Sequence, residues 1–274
     1  MNEEEKFLFD LNGYLVVEQM LTPDQVRALN EAIDAIRPEG ADRSDPSLAN
    51  GAEMFSGAHG RGQFGGINYP EPWCRPFREL MAHPRTLRFM IDTIGVDLRW
   101  EGETGLSNIK GSEGQILHGG GFSHSPDLEI GFFHRVQFDK IRNGLVAIQY
   151  LLSDVDEGDG GFTCIPGSHK TNFDCPWSIR HLETGREHAR QLVAKAGDAI
   201  IFTEALIHGA LPWVADHERR VLIHRYGPGI MAFSAPTPPD EAIAAMSPLH
   251  EALLKPPSFP NRTDFAQLLD EAGR

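Results

Sequence analysis

Two histidines lie where the sequence could bring them into one place. His118 follows the apolar run QIL and His208 follows AIIFTEALI, 90 positions later, and both runs read as strands. Imidazoles delivered from distant strand ends can hold a transition metal on one face and leave other coordination positions open to small ligands. The chain has 12 histidines, and most histidines in a folded protein are surface groups or hydrogen-bonded core residues. The flanking runs set these two apart. The segment LHGGGF raises a second point, because residues two apart on an extended chain point to the same side. Position 120, where many metal sites carry a carboxylate, is glycine.

The elements that must position these residues are readable in outline. TPDQVRALNEAIDAIR begins a helix with a cap at Thr22, Pro23 in the first turn and Gln25 three residues on, and Val26, Leu29, Ile33 and Ile36 recur at helical spacing. Tyr14 to Val17 precedes it as a short strand. RPFRELMAHPRTLRFMIDTIG divides at Pro84 into two short helices and closes at Gly95. From about Leu98 to Gly227 short apolar runs alternate with turns: GLSNIK, QIL, LVAIQYLL, GGFTCI, QLVAKAG, AIIFTE and RRVLIHRY. This spacing predicts an antiparallel sandwich or barrel. The tail returns to helical patterning in PPDEAIAAM and TDFAQLLDEAG. One domain over 1–274 is expected, with a helical part to about 96, a β core to about 229 and a helical tail.

Composition narrows the functions. The 274 residues carry a formal charge of -14, which disfavours a nucleic-acid polymer or an anionic membrane as partner, since counterion release needs a basic face. Cys74, Cys164 and Cys175 are odd in number and irregularly spaced, so neither a disulfide framework nor a zinc cluster is expected. The acidic start MNEEEKFLFD lacks a basic leader, and no run approaches the roughly 18 apolar residues of a membrane span. A soluble cytoplasmic protein acting on a small molecule is the expectation; the sequence leaves its oligomeric state open.

Three stretches in order, LHGG, LSDVDEGDGGFTCIPGSHK and AGDAIIFTEALIHGALPW with RRVLIHRYGPG, resemble the phytanoyl-CoA dioxygenase family of iron(II)- and 2-oxoglutarate-dependent oxygenases. LNGYLVVEQMLTPDQVRALNEAID resembles that family's first strand and helix, so the likeness covers most of 8–229. The resemblance implies a double-stranded β-helix, or jelly roll, with His118 and His208 as iron ligands and O2 and 2-oxoglutarate as cosubstrates. It implies an arginine for the cosubstrate on the strand after the distal histidine, where a planar guanidinium grips a carboxylate through two hydrogen bonds. Arg219 fits best because it shares a strand face with Val221 and Ile223, and Arg220 is its competitor. Gln149, polar within an apolar strand, is a candidate for contact with cosubstrate or substrate, or a buried hydrogen-bonded amide.

The family's usual ligand pattern is His-x-Asp or His-x-Glu with a distant His, and His118-Gly119-Gly120 departs from it. Three readings follow. In the first, favoured here, the sequence resembles the halogenases of this class, in which Gly or Ala replaces the acid, chloride takes the vacated iron position and an unactivated C–H is chlorinated; Gly120 then belongs to the catalytic centre. In the second, a hydroxylase draws its carboxylate from Asp127 or Glu129, or uses His124 or His134. In the third, the fold survives as a binding module.

Other features read as structural. PGSHK at 166–170 makes a turn without supplying a ligand, GDG and GGF at 158–162 predict a tight hairpin, and Asp154, Asp156, Glu157 and Asp159 lack calcium-loop spacing. The segments 42–69 and 122–140 are expected as lid and pocket walls. His124, His134, Arg135 and Lys110 could form a local anion site for a nucleotide-like metabolite, or be scattered surface charge.

Overall fold

The computed structural model describes residues 1–36, 60–120 and 133–272. The chain opens with helix α1 (Glu3–Asn12), which the sequence reading did not single out. Asn2 and Glu5 cap it reciprocally, and Gly13 ends it in a left-handed conformation at φ 82°. Strand β1 (Tyr14–Val17) and helix α2 (Pro23–Ile36) follow. The capping box of α2 forms as its sequence predicts, with Gln25 N donating to Thr22 Oγ1 at 3.2 Å and Thr22 N to Gln25 Oε1 at 2.9 Å. Pro84 separates α3 (Arg75–Met81) from α4 (Pro84–Thr93).

The remaining strands are β2 (Arg61–Phe64), β3 (Leu98–Asn108), β4 (Gln115–His118), β5 (His134–Gln137), β6 (Lys140–Asn143), β7 (Val146–Leu151), β8 (Gly161–Cys164), β9 (Arg190–Gln191), β10 (Ala199–Thr203), β11 (His208–Leu211) and β12 (Arg219–Pro228). They build a six-stranded sheet in the order β1-β10-β7-β12-β3-β2 and a four-stranded sheet in the order β4-β11-β8-β9. All their pairings are antiparallel. This is the β-rich architecture with flanking helices that the strand spacing predicts.

Two layers of core explain why β7 reads as a continuous apolar run. Both faces of its sheet are covered. Ala147 and Leu151 face the four-stranded sheet and pack with Phe162, Phe202, Leu206, Val221 and Ile223. Ile148 and Tyr150 face the other way, onto Leu29, Ile33, Phe77, Leu87 and Met90 of the helices. Helix α5 (Trp177–Arg180), between β8 and β9, lies beside the smaller sheet, and the tail adds α6 (Asp240–Ala244), α7 (Pro248–Leu253) and α8 (Phe265–Ala272).

The structure corrects three expectations. Residues 61–64, assigned above to a lid loop, extend the larger sheet as β2; residues 42–59 of that segment lie outside the described residues. QLVAKAG contributes only the two residues of β9 and an isolated bridge from Ala194 to Val155. The glycines at 158–162 do not close a hairpin: β7 and β8 belong to different sheets, and the turn carries the chain between them. Among the described residues no helix is long and apolar enough to cross a membrane, and all three cysteines are buried and free.

Candidate active site

The two sheets leave a cavity between them, lined from the smaller sheet by Gln115, His118, Phe162, His208 and Ala210. His118 ends β4 and His208 begins β11, and the two are direct cross-strand partners. Their ring centroids lie 4.3 Å apart. Each ring is oriented by its own backbone, with His118 Nδ1 at 2.9 Å from Ile116 O and His208 Nδ1 at 2.8 Å from Leu206 O. With Nδ1 carrying the proton toward a carbonyl, Nε2 of each ring is left with its lone pair. Burial, reinforced by the neighbouring His208, pulls the His118 pKa down to about 3, and burial lowers that of His208. Two neutral imidazoles so arranged are competent metal ligands.

The backbone around His118 is clamped. Arg180 donates to Leu117 O at 3.3 Å and to Gly119 O at 3.4 Å, on either side of the histidine, and to Asp174 Oδ1 at 2.6 Å. Ser168 of PGSHK has a comparable role toward His208, since its Oγ accepts from Ile207 N at 2.8 Å. His169 of the same motif is 3.0 Å from Asp10 O through Nε2 and takes no part in the cavity.

The larger sheet lines the opposite wall by strict alternation. Arg219, Ile223 and Arg225 of β12, Thr104, Leu106 and Asn108 of β3, and Arg61 and Gln63 of β2 all face inward. Arg219 and Arg61 flank Asn108 as its partners on either side. Arg219 Nη1 donates to Asn108 Oδ1 at 2.9 Å, while its Nε is buried with no partner. Burial, with Arg61 nearby, drags this guanidinium down to about 10. A buried cation with no acidic partner among the described residues calls for an anion. Gly161 makes room for it, because a Cβ there would lie 2.9 Å from Arg219 Nε. Arg220 faces away and binds Asp34 at 2.6 Å and Glu218 at 2.9 Å on the α2 side. Gln149, opposite Ile223 in the sheet, is buried and lines the cavity.

Glu204 is among the residues that sequence reasoning missed, with Arg61, Asn108 and Arg225. It sits in the turn between β10 and β11, four residues before His208, and is 5% exposed. Its Oε2 is 3.7 Å from His208 Nε2, and its Oε1 accepts from Arg225 Nε at 2.7 Å. Burial pushes the carboxyl up, but Arg225 and the two histidines outweigh it and hold the pKa below the ordinary value. Arg225 was not singled out, although two-residue alternation would have placed it on the face of Arg219, Val221 and Ile223; the fold-back of Glu204 left no periodic signal.

Gly120 is not brought to the cavity. Gly119 and Gly120 both adopt positive φ, 84° and 87°, so the chain turns after His118 instead of continuing extended. A Cβ at Gly120 would meet Ile207 Cγ1 at 3.5 Å, and Ile207 packs with Leu117, Cys175 and Leu182 in a separate apolar cluster. The assumption that position 120 shares the side of His118 therefore fails. Asp127, Glu129 and His124 lie outside the described residues. His134 is taken up elsewhere, 2.9 Å from both Asp10 and Asn143. Lys110 pairs with Asp216 at 2.6 Å and Arg135 stacks on Phe133, so these cations do not gather into the anion site considered above. The acidic turn is held by Lys195, 3.2 Å from Asp154 and 2.6 Å from Asp156.

Comparison with known proteins agrees with this architecture. The sequence profile of phytanoyl-CoA dioxygenase (PhyH) matches residues 9–221. The crystal structure of HygX from Streptomyces hygroscopicus with nickel, 2-oxoglutarate and hygromycin B is similar at a TM-score of 0.70 and 22% identity, covering 85% of this chain and 89% of that one. The epimerase SnoN in complex with Fe3+, alpha ketoglutarate and nogalamycin RO is similar at 0.60 and 18%, covering 87% and 90%. The carbocyclase SnoK from nogalamycin biosynthesis gives 0.59 and 16%, covering 90% and 92%. These likenesses concern the fold. No curated protein sequence matches the chain.

Proposed function

The chain belongs to the phytanoyl-CoA dioxygenase family, and we propose that it is an iron(II)- and 2-oxoglutarate-dependent oxygenase acting on a free small molecule. The observation that carries the reading is the opposition of His118 and His208, both neutral and both with Nδ1 tied back, so that two metal-binding nitrogens share one cavity. Arg219 supports it from the other wall as a buried guanidinium with an unpartnered donor. In this reading His118 and His208 hold iron, which when bound supplies oxygen activation coupled to decarboxylation of 2-oxoglutarate. Arg219, steadied by Asn108, grips the cosubstrate carboxylate. Gln149 presents an amide to cosubstrate or substrate, and the apolar walls of Phe162, Phe202 and Ile223 keep bulk water out. HygX and SnoN bind hygromycin B and nogalamycin RO respectively, which favours a small-molecule substrate.

Chlorination is the second reading, and the absence of a carboxylate two residues after His118 favours it. It loses ground because a Cβ at 120 would lie in contact with Ile207, and because a carboxylate from another segment, Glu204, stands beside His208. Oxygen transfer is therefore the first reading.

The test is conversion of 2-oxoglutarate to succinate with iron(II), O2 and a panel of small metabolites, chloride present. Iron-dependent succinate release with a product that gains one oxygen is expected. A product that gains chlorine would transfer the assignment to the second reading. No iron-dependent succinate with any substrate, and no binding of 2-oxoglutarate, would leave a binding module on the same fold.

A further inference from the structure

We infer that Glu204 supplies the carboxylate ligand that the segment after His118 lacks, so that His118, His208 and Glu204 form the metal set. The inference rests on the iron reading above and deepens it.

Three observations carry it. First, Glu204 Oε2 lies 3.7 Å from His208 Nε2. Two donor atoms each ~2.1 Å from one ion can be no more than about 4.2 Å apart, so this pair is within the span of a shared metal. Second, the other oxygen is already engaged: Arg225 Nε donates to Oε1 at 2.7 Å and Arg225 Nη1 reaches Thr104 Oγ1 at 3.3 Å. An outer partner that fixes one carboxylate oxygen and leaves the other for the metal is the usual support of a carboxylate ligand. Third, the ordinary source of that ligand is missing, because position 120 is glycine and both glycines after His118 leave the extended conformation at positive φ.

As the side chains stand, no three His, Cys, Asp or Glu donors among the described residues close around one ion. To complete the set, Oε2 would have to swing toward the histidine pair while Oε1 keeps its bond to Arg225. The result is two neutral imidazoles and one carboxylate, the donor set of non-haem iron(II) oxygenases, with the acid entering four residues before the distal histidine instead of two after the proximal one.

The experiment is anaerobic iron(II) titration, by chelator competition, of the wild-type chain and of Glu204→Gln, Glu204→Asp and His118→Ala, together with a crystal structure of the iron-loaded wild type. Glu204→Gln should weaken iron at least ~10-fold, Glu204→Asp should recover part of that loss, and the iron-bound structure should have Glu204 bonded to the metal. The inference is overturned if His118→Ala abolishes binding while Glu204→Gln stays within about threefold of wild type. It is equally overturned if the bound iron touches both histidines and Glu204 remains solely on Arg225. Absence of iron binding in the wild type would overturn the iron reading as well. The wild-type structure decides the matter should Glu204→Gln fail to fold.

Discussion

His118 and His208 stand directly opposite one another in the antiparallel pair of β4 and β11, with ring centroids 4.3 Å apart. Metal that binds the folded chain and not the unfolded one must stabilise the fold, by about 2.7 kcal/mol at a hundredfold excess over Kd. Iron(II), or nickel(II) in air, should raise the wild-type melting temperature and leave that of His118→Ala and His208→Ala unmoved. Calorimetry reads this directly, and an equal rise in all three chains would contradict the site.

Arg219 and Arg220 are adjacent in sequence and opposite in role. Arg219→Met removes the charged hydrogen bonds offered to the cosubstrate, each worth roughly 1.5–3 kcal/mol, so 2-oxoglutarate binding should weaken by about one to two orders of magnitude. Arg220→Met breaks the contacts with Asp34, Glu218 and Asn30 and should change that affinity less than about threefold. Anaerobic calorimetric titration of the iron-loaded variants separates the two.

The contrast also marks what was legible in the sequence. Two-residue alternation places Arg219 with Val221 and Ile223, and the run after His208 identifies the strand that carries it. The same alternation fails at His118, because Gly119 and Gly120 leave the extended conformation and the side of position 120 cannot be read from spacing. Glu204 was hidden for a related reason: it belongs to a turn, where no period links a side chain to a face. Arg61 falls in a glycine-rich stretch without strand patterning and becomes part of the site only through pairing with β3.

The two glycines should answer differently to substitution. A Cβ at Gly119 would lie 2.3 Å from Leu206 O and 2.9 Å from Glu204 O, with φ at 84°. Gly119→Ala should therefore cost about 3 kcal/mol or more, from backbone strain and a clash that side-chain motion cannot relieve. Gly120→Ala meets only the strain of a positive φ, roughly 1–2 kcal/mol. Gly120→Asp should leave iron(II) affinity within about threefold, since its side chain starts toward Ile207. Urea unfolding and metal titration check these values, and a tenfold gain in iron affinity for Gly120→Asp would contradict the geometry.

Behind the cavity, His224 and Glu103 are cross-strand partners with Nε2 and Oε2 3.4 Å apart, and Trp100 Nε1 donates to His224 Nδ1 at 3.0 Å. Burial lifts Glu103 from 4.5 to about 7 and depresses His224 from 6.5 to about 3. The raised carboxyl contributes stability that is lost as pH climbs from 4.5 to about 7; the depressed imidazole contributes stability that is lost as pH falls from 6.5 toward 3. Where the windows overlap, the slopes oppose. Glu103→Gln removes the first slope, so its stability relative to wild type should rise with pH across that window by on the order of 1–3 kcal/mol. Urea unfolding at a series of pH values reads the difference, and a constant offset would contradict the assignment.

The most direct test of the central claim is the visible charge-transfer absorption that iron(II) and 2-oxoglutarate produce when bound together, recorded without oxygen. The account predicts a band that saturates at one iron and one 2-oxoglutarate per chain, is absent in His208→Ala and needs far more 2-oxoglutarate in Arg219→Met. No band in the wild type, or a band indifferent to both substitutions, would contradict it.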